Sequence, residues 1–491
     1  MRKREQKEIQ YSRAGGVFAQ SGICLICLLF YLLFPLLDGP VWCVDSGGYV
    51  SMHITREPLY PAFLALCRAW AKVCGIDALM IAVLVQSILA GTATWFAGWV
   101  VFKMKRGSWM LQAMTILYQF TVTLLNRFAA NRGSAYTNSI LTEGLGFSLY
   151  VFFSMCLFLW VCTEKKIWLY CLFLFSFLLV SLRKQMMIIL FIMGIVFVWY
   201  ILVQKRRKRQ FLCLLAMLGM VFFAGKLFDR SWQYFVRGAW MEHSGNSMGV
   251  LCTLLYSSDV ERDAELFEDE VTEQLYREIM ERADKQGLLY HYAEPGWISV
   301  TSHYADSYDA IGYGIINPVV EGYIADHFCF SEVETAVKYD EICEAMSTTL
   351  FRQKRFPLLQ VYFYNTWKGL VNSIARAGRF TGFYAAGAYC AVGIVVCWLI
   401  WQKKKLRWLD EMRKDREETQ SEEYGALLEQ IDRTLRFTCI VMTGIVLNAL
   451  VVGFVIFAQP RYMLYGMGLF YTACSLLVYD MAVCFKITIR E

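Results

Sequence analysis

Runs of about twenty apolar residues recur from residue 17 almost to the C-terminus of this chain, and no other feature restricts the fold as severely. A helix needs roughly 20 such residues to cross the hydrocarbon core of a bilayer, where every backbone polar group must be satisfied within the segment. The runs fall at 17–37, 78–102, 109–128, 140–162, 167–182, 185–203, 211–227, 380–402, 437–458 and 462–485. Composition agrees: only 18% of the residues are charged and 57% are hydrophobic, against about 25% charged in a soluble domain. The sequence therefore predicts an all-α polytopic membrane protein with about ten transmembrane helices. Disorder, collagen-like repeats and small disulfide scaffolds are excluded by the same numbers.

The fifth and sixth spans are separated only by Arg183-Lys184. One helix over 167–203 would reach about 55 Å, nearly twice the bilayer core. It would also put the basic cluster at 205–209 across the membrane from Lys165-Lys166, so two helices meeting at Arg183-Lys184 are expected. The N-terminal apolar run continues through Leu37 without a small-residue cleavage site and is read as an uncleaved helix.

Orientation follows from the bias of Lys and Arg toward the cytoplasm. With the N-terminus inside, segments 1–16, 103–107, 163–166, 204–210, 403–436 and the C-terminal end hold 26 of the 48 basic residues. The short outer segments hold eight: Arg56, Arg68, Lys72, Arg127, Arg132, Arg183, Lys184 and Arg461. The expected organisation is an N-terminal bundle (1–227), an extracytoplasmic segment (228–379) and C-terminal helices (380–491) with a cytoplasmic helical connector (403–435). The extracytoplasmic segment reads as mainly helical, with helices at 260–286 and 332–354. Ser331 and Glu334 form a capping-box signature for the second. Residues 287–330 show no clear period and read as irregular loops. Of the 17 cysteines most lie in apolar runs; Cys43, Cys252, Cys329 and Cys343 fall outside them, and a disulfide among these stays open. No basic stripe interleaved with aromatics marks a nucleic-acid surface, so nucleic acid is not expected as a partner.

The first outer loop, 38–61, is the densest in chemistry. It packs Asp38, Asp45, His53, Arg56 and Glu57 with three of the chain's eight prolines, which marks a rigid, shaped loop. Asp45 has two uses open to it. It can cap a short helix starting at Ser46, or it can deprotonate a hydroxyl held within hydrogen-bond reach.

Asp45-Ser-Gly-Gly-Tyr49, followed by Arg56-Glu-Pro-Leu-Tyr-Pro61, resembles the first external loop of the polyprenyl-phosphate-dependent glycosyltransferases of the GT-C superfamily. The likeness is to the relatives of protein O-mannosyltransferases and of bacterial lipid A aminoarabinose transferases. Leu141-Thr-Glu-Gly-Leu145, Leu182-Arg-Lys-Gln185, Arg355-Phe-Pro-Leu358 and Gln459-Pro-Arg-Tyr462 are similar to further elements of that family in order and side. Where many relatives carry an Asp-Glu pair, Ser46 follows Asp45. The resemblance implies a sugar donor on a polyprenyl phosphate, an acceptor hydroxyl on a glycan, lipid or protein, and inversion at the anomeric carbon. Asp45 is then the general base.

A lipid-linked sugar phosphate keeps its tail in the membrane lipid and needs cations for its phosphate at the surface, where Arg and Lys form charge-assisted hydrogen bonds. Basic residues that run against the orientation bias are the candidates: Arg56, Arg127, Arg132, Arg183, Lys184 and Arg461. Each can equally be a side chain reaching lipid head groups, the reading favoured for Arg68 and Lys72. Glu143, at the outer end of an apolar helix, either orients an arginine of the site or helps cap its helix. Tyr49 and Glu57 belong to the loop motif. Tyr60, Tyr462, Trp42 and Trp367 fit an interfacial aromatic belt or a sugar-stacking platform. His53 and His303 have no partner at metal-ligand spacing, so no metal ligand is assigned, no cofactor is assigned and a divalent cation is left open. The rival expectations are a transporter or flippase for a lipid-linked glycan, and a relative of such enzymes without activity. Charges gathered at one face rather than at the midplane of two related halves speak against transport.

Overall fold

A computed structural model of the chain describes residues 2–129, 135–204, 208–352, 356–413 and 418–490, and among them it is all-helical apart from one isolated bridge between Val41 and Ser139. The helices run in order α1 (Arg2–Asp38), α2 (Ser46–Val50), α3 (Leu59–Cys74), α4 (Ala78–Met104), α5 (Trp109–Ala129), α6 (Glu143–Thr163), α7 (Lys166–Leu182), α8 (Ile188–Gln204) and α9 (Lys208–Arg237). After them come α10 (Met248–Tyr256), α11 (Glu270–Lys285), α12 (Trp297–Ile311), α13 (Asn317–His327), α14 (Glu332–Phe351) and α15 (Phe356–Asn372). The C-terminal part holds α16 (Arg379–Arg413), α17 (Glu418–Val455), the single turn α18 (Pro460–Met463) and α19 (Met467–Arg490).

Eight helical stretches among the described residues are long and apolar enough to cross a membrane. The other two of the ten expected segments, Trp109–Leu125 and Lys166–Leu182, are shorter apolar helices. The break at Arg183-Lys184 separates α7 from α8, as the length argument required. Helices α4, α6, α17 and α19 form the middle of the bundle: α4 packs on α1, α3, α5 and α6, and α17 on α8, α15, α16 and α19. Within α6 83% of the apolar stretch is buried, against 17% in α16, so α6 is central and α16 peripheral. Apolar side chains gain little by leaving lipid for protein, so close backbone approach of small residues does the joining. Gly91 of α4 shows it: a Cβ there would lie 2.9 Å from the Leu28 Cα of α1.

Residues 248–361 enclose a second core, built from Leu251, Tyr276, Ile279, Tyr304, Ile311 and Met346 among others. Two expectations change here. The stretch 287–330 is mostly helix, α12 and α13 joined by a π-helical turn at Gly312–Ile316. The buried face of α12 is Val300, Thr301, Tyr304, Ser307, Tyr308 and Ile311, a helical period whose middle is written in tyrosine and hydroxyl residues, with an aliphatic only at each end. The helix expected over 260–286 begins only at Glu270, where the Asp269 carboxylate caps the Thr272 N–H at 2.8 Å. The capping box at Ser331 and Glu334 forms as expected. Helices α3 and α15 are separate elements that the apolar runs do not announce, and Cys43, Cys252, Cys329 and Cys343 form no disulfide.

Candidate functional site

The first loop is pinned before it presents any chemistry. Helix α1 ends at Gly39, and Val41 exchanges backbone hydrogen bonds with Asn138 and Ile140 (2.8 and 3.1 Å). Ser46, fully buried, accepts from the Cys43 N–H at 2.8 Å and donates to the Ile140 carbonyl at 2.9 Å. The position following Asp45 therefore holds the loop to the start of α6. Arg68 donates to the Val50 carbonyl and Arg237 to the Met52 carbonyl, so Arg68, read as lipid-facing, in fact supports the end of α2. At Gly48 a Cβ would meet Arg56 Nε at 2.7 Å and displace the guanidinium. The absence of a Cβ lets the Arg56 guanidinium lie across α2 with its Cζ 4.7 Å from the Tyr49 ring centroid.

Asp45 stands at the N-cap of α2 yet makes no side-chain cap. Its oxygens are each taken by a guanidinium: Oδ1 by Arg56 Nη2 at 3.2 Å and Oδ2 by Arg461 Nη1 at 3.3 Å. Burial alone pushes this carboxyl up, but Arg461 and then Arg56 outweigh it and hold its pKa below the ordinary value. Of the two uses open to Asp45, capping is set aside.

A second pair lies beside the first. Arg183 Nη1 donates to Glu143 Oε1 at 2.7 Å, so Glu143 orients an arginine. Arg183 and Arg461 both lie against the Tyr462 ring, with Cζ atoms 4.4 and 4.8 Å from its centroid. Arg461 Nη2 also donates to the Tyr462 hydroxyl at 2.6 Å. The Tyr462 carbonyl is held by Gln185 Nε2 at 3.0 Å and Asn448 Nδ2 at 2.8 Å, which fixes the turn carrying Arg461. The Lys184 N–H donates to Glu57 Oε1 at 2.8 Å. Side-chain exposure runs from 9% for Glu143 to 32% for Arg461, so these charges are poorly screened while still open to a ligand.

The charged groups of both pairs line one cavity of about 1200 Å³. Asp45, Tyr49, Arg56, Glu57, Glu143, Arg183, Lys184, Arg461 and Tyr462, nine of the residues singled out from sequence, face it. Tyr60 does not. It is fully buried, its hydroxyl donating to Gln86 Oε1 at 2.8 Å, and Gln86 Nε2 reaches the Thr137 and Ser139 carbonyls. It supports the loop from behind, because an aromatic ring at the start of α3 packs inward. The side chain of Arg127 and the whole of Arg132 lie outside the described residues, as does Arg355.

The facing wall went unnoticed in the sequence. It comes from α10, α12 and α14 and from the turn before α16, and it brings Asn246, Ser247, Asp309, Tyr313, Glu344 and Arg376 to the cavity. The 244–247 turn is clasped by Asp340, which accepts from the Ser244 hydroxyl (2.6 Å) and from the N–H groups of Gly245, Asn246 and Ser247 (2.7, 3.0 and 2.8 Å). Those hydrogen bonds outweigh burial and lower its pKa. Tyr308 docks α12 on the bundle through the Val455 carbonyl (3.4 Å) and the Phe457 ring (5.4 Å), so Asp309 arrives at the cavity beside it. The signal that could have found Asp309 is the Tyr/Ser/Thr period of α12.

One flank of the cavity is apolar, from Val451, Val452, Val455 and Ile456 around the end of α17. Among the described residues no three His, Cys, Asp or Glu side chains gather to hold a metal. His303 is engaged by the Tyr256 hydroxyl (2.9 Å) and the Gly287 carbonyl (3.0 Å), and His53 by Thr55. The arrangement offers half-buried guanidiniums, fixed by carboxylates and by an aromatic ring, next to an apolar groove. Such a set suits an anionic group carried on an apolar chain. Compared with protein-family models, curated proteins and solved structures, the chain has no match.

Proposed function

We propose that the chain is an integral-membrane glycosyltransferase that moves a sugar from a polyprenyl-phosphate donor to an acceptor hydroxyl, with inversion, on the outer face of a cell membrane. The observation that carries this reading is the meeting of Arg56, Arg183, Lys184 and Arg461 at one cavity with an apolar flank. Four cations from three separate stretches of chain gather there, while most Lys and Arg follow the cytoplasmic bias. In that bias lies the support for a cytoplasmic N-terminus and an outward-facing cavity.

In this reading the phosphate rests between Arg461, Arg183 and Lys184, and the lipid tail leaves along Val451, Val452 and Val455. Arg461 Nε is buried without an acceptor among the described residues, a donor left for an anion. As the bond from the anomeric carbon to the phosphate oxygen breaks, charge collects on the departing phosphate. Guanidiniums already held in place by Glu143, Asp45 and Tyr462 stabilise it without reorganising. The acceptor hydroxyl attacks from the opposite side and gives up its proton to a carboxylate; Asp45 and Asp309 both face the cavity.

The test is a membrane assay with radiolabelled polyprenyl-phosphate hexose and pentose donors. Label is expected to pass to an acceptor with the wild-type chain and to be lost in R183A/R461A. Transfer at the wild-type level in that double variant removes the phosphate site, and no transfer from any such donor leaves a carrier of lipid-linked glycan as the better account.

A further inference from the structure

The two carboxylates that face the acceptor's side of the cavity are not equivalent. Both oxygens of Asp45 are spent on guanidiniums, at 3.2 and 3.3 Å. A carboxylate in that position orients arginines and can take up a proton only by giving up one of them. The Asp309 carboxylate, on the other wall, accepts no hydrogen bond among the described residues and is open to the cavity. Its surroundings are hydroxyl-rich. Tyr313 follows it within electrostatic reach of Asp45, Arg56 and Asp309. Ser347 and Thr348 line the same wall, and the Ser347 hydroxyl is buried without a partner. Glu344 is already engaged by the Ser247 hydroxyl at 3.2 Å.

Resting on the glycosyl-transfer reading above, we propose that Asp309 is the general base and that its wall of the cavity binds an uncharged, hydroxyl-rich acceptor. The acceptor oxygen bonds to the anomeric carbon, and its proton passes to an Asp309 oxygen. The bond to the phosphate oxygen breaks, and its electron pair leaves with the polyprenyl phosphate. Asp309 then returns the proton to water. Asp45 becomes a positioning residue, holding Arg56 and Arg461 across from the phosphate.

The charged environment agrees with this division of labour. Burial raises the pKa of Asp309; Arg461 opposes it, and Asp45 across the cavity and Asp306 on the same helix add to the rise. Asp45 is displaced in the other direction. Two carboxylates in one site whose environments drive them apart mark a divided role, and the one nearer the working pH is the better base. The π-helical turn that follows α12, at Gly312–Ile316, is an irregularity of the kind often found where a helix serves a site.

The experiment uses the full-length chain. Binding of polyprenyl monophosphate, with no sugar or acceptor, is measured for wild type, D309N, D309E and D45N, and sugar transfer is assayed in the same preparations. D309N is expected to bind polyprenyl phosphate within about twofold of wild type, which shows that it folds, and to lose transfer by about 10²–10⁴-fold, the size of a general-base contribution. D309E is expected to recover part of the rate with a displaced acid limb in its pH profile, while the residual rate of D309N lacks that limb. D45N is expected to lose polyprenyl-phosphate binding at least tenfold. Transfer by D309N near the wild-type rate, or a D45N chain that binds normally but does not transfer, overturns the assignment of the base. A wild-type chain that neither binds polyprenyl phosphate nor transfers sugar overturns the glycosyl-transfer reading itself.

Discussion

Two clusters of charge, one around the cavity and one buried between the end of α4 and α19, are built in opposite ways. Around the cavity, Asp45, Arg56, Glu143, Arg183 and Arg461 stay 9–32% exposed and share partners across four stretches of chain. About 28 Å further along α4, counted from Gln86 at 1.5 Å per residue, Lys105 donates to Asp480 of α19 with both side chains at 0% exposure. The Tyr479 ring lies 5.6 Å from the ammonium. A sealed pair meets no ligand, so it ties the end of α4 to α19. An open cluster with unspent donors does little for the fold that packing could not do, and it is available for chemistry.

The contrast can be broken at either end. The largest effect on folding is expected from D480A, which strands a buried ammonium: about 3–5 kcal/mol of stability lost, read as a lowered melting temperature of the full chain in detergent. Replacing both members, K105M/D480L, is expected to restore stability and to leave transfer unchanged. If the double variant transferred sugar poorly, the sealed pair would belong to the function and the contrast would fail. R461A is expected to do the reverse. Transfer should fall by about 10²–10³-fold, the loss seen when one preorganised charge-stabilising donor is removed, with the melting temperature almost unmoved.

Between these extremes lies the loop that presents Asp45. S46A leaves the Cys43 N–H and the Ile140 carbonyl without their partner, at about 1–3 kcal/mol. The loss should appear as a raised KM for the donor together with a lower melting temperature, because the loop loosens as a unit. The smallest expected effect concerns pH. His243 Nδ1–H donates to Asp229 Oδ2 at 2.6 Å. Burial pulls its pKa down, but the Asp229 hydrogen bond and the nearby Glu57 outweigh burial and raise it above the ordinary value. A raised histidine pKa adds stability that is complete below about pH 6.5 and fades as pH climbs through the folded value. Melting curves from pH 6 to 9 should show that decline in the wild type and its absence in H243Q.

Much of this was legible beforehand, and the exceptions have physical reasons. Apolar runs announce helices in lipid because no other segment can satisfy its own backbone there, and the break at Arg183-Lys184 followed from length. The first loop stood out through its prolines and glycines. Ser46 could not be read as its clasp, because the acceptor, the Ile140 carbonyl, is distant in sequence. Helix α12 does not announce itself because between Val300 and Ile311 its inner face is Tyr, Thr and Ser, residue types that on a solvated chain read as loop. Asp309 went with it.

From sequence alone came the membrane class, the approximate helices and a short roster of residues able to do chemistry, since those depend on side-chain type and local spacing. Which carboxylate is clamped and which is free was decided only in three dimensions. A carboxyl's proton affinity and reach are set by the groups that folding brings against it: Arg461 and Arg56 for Asp45, and an open, hydroxyl-lined wall for Asp309.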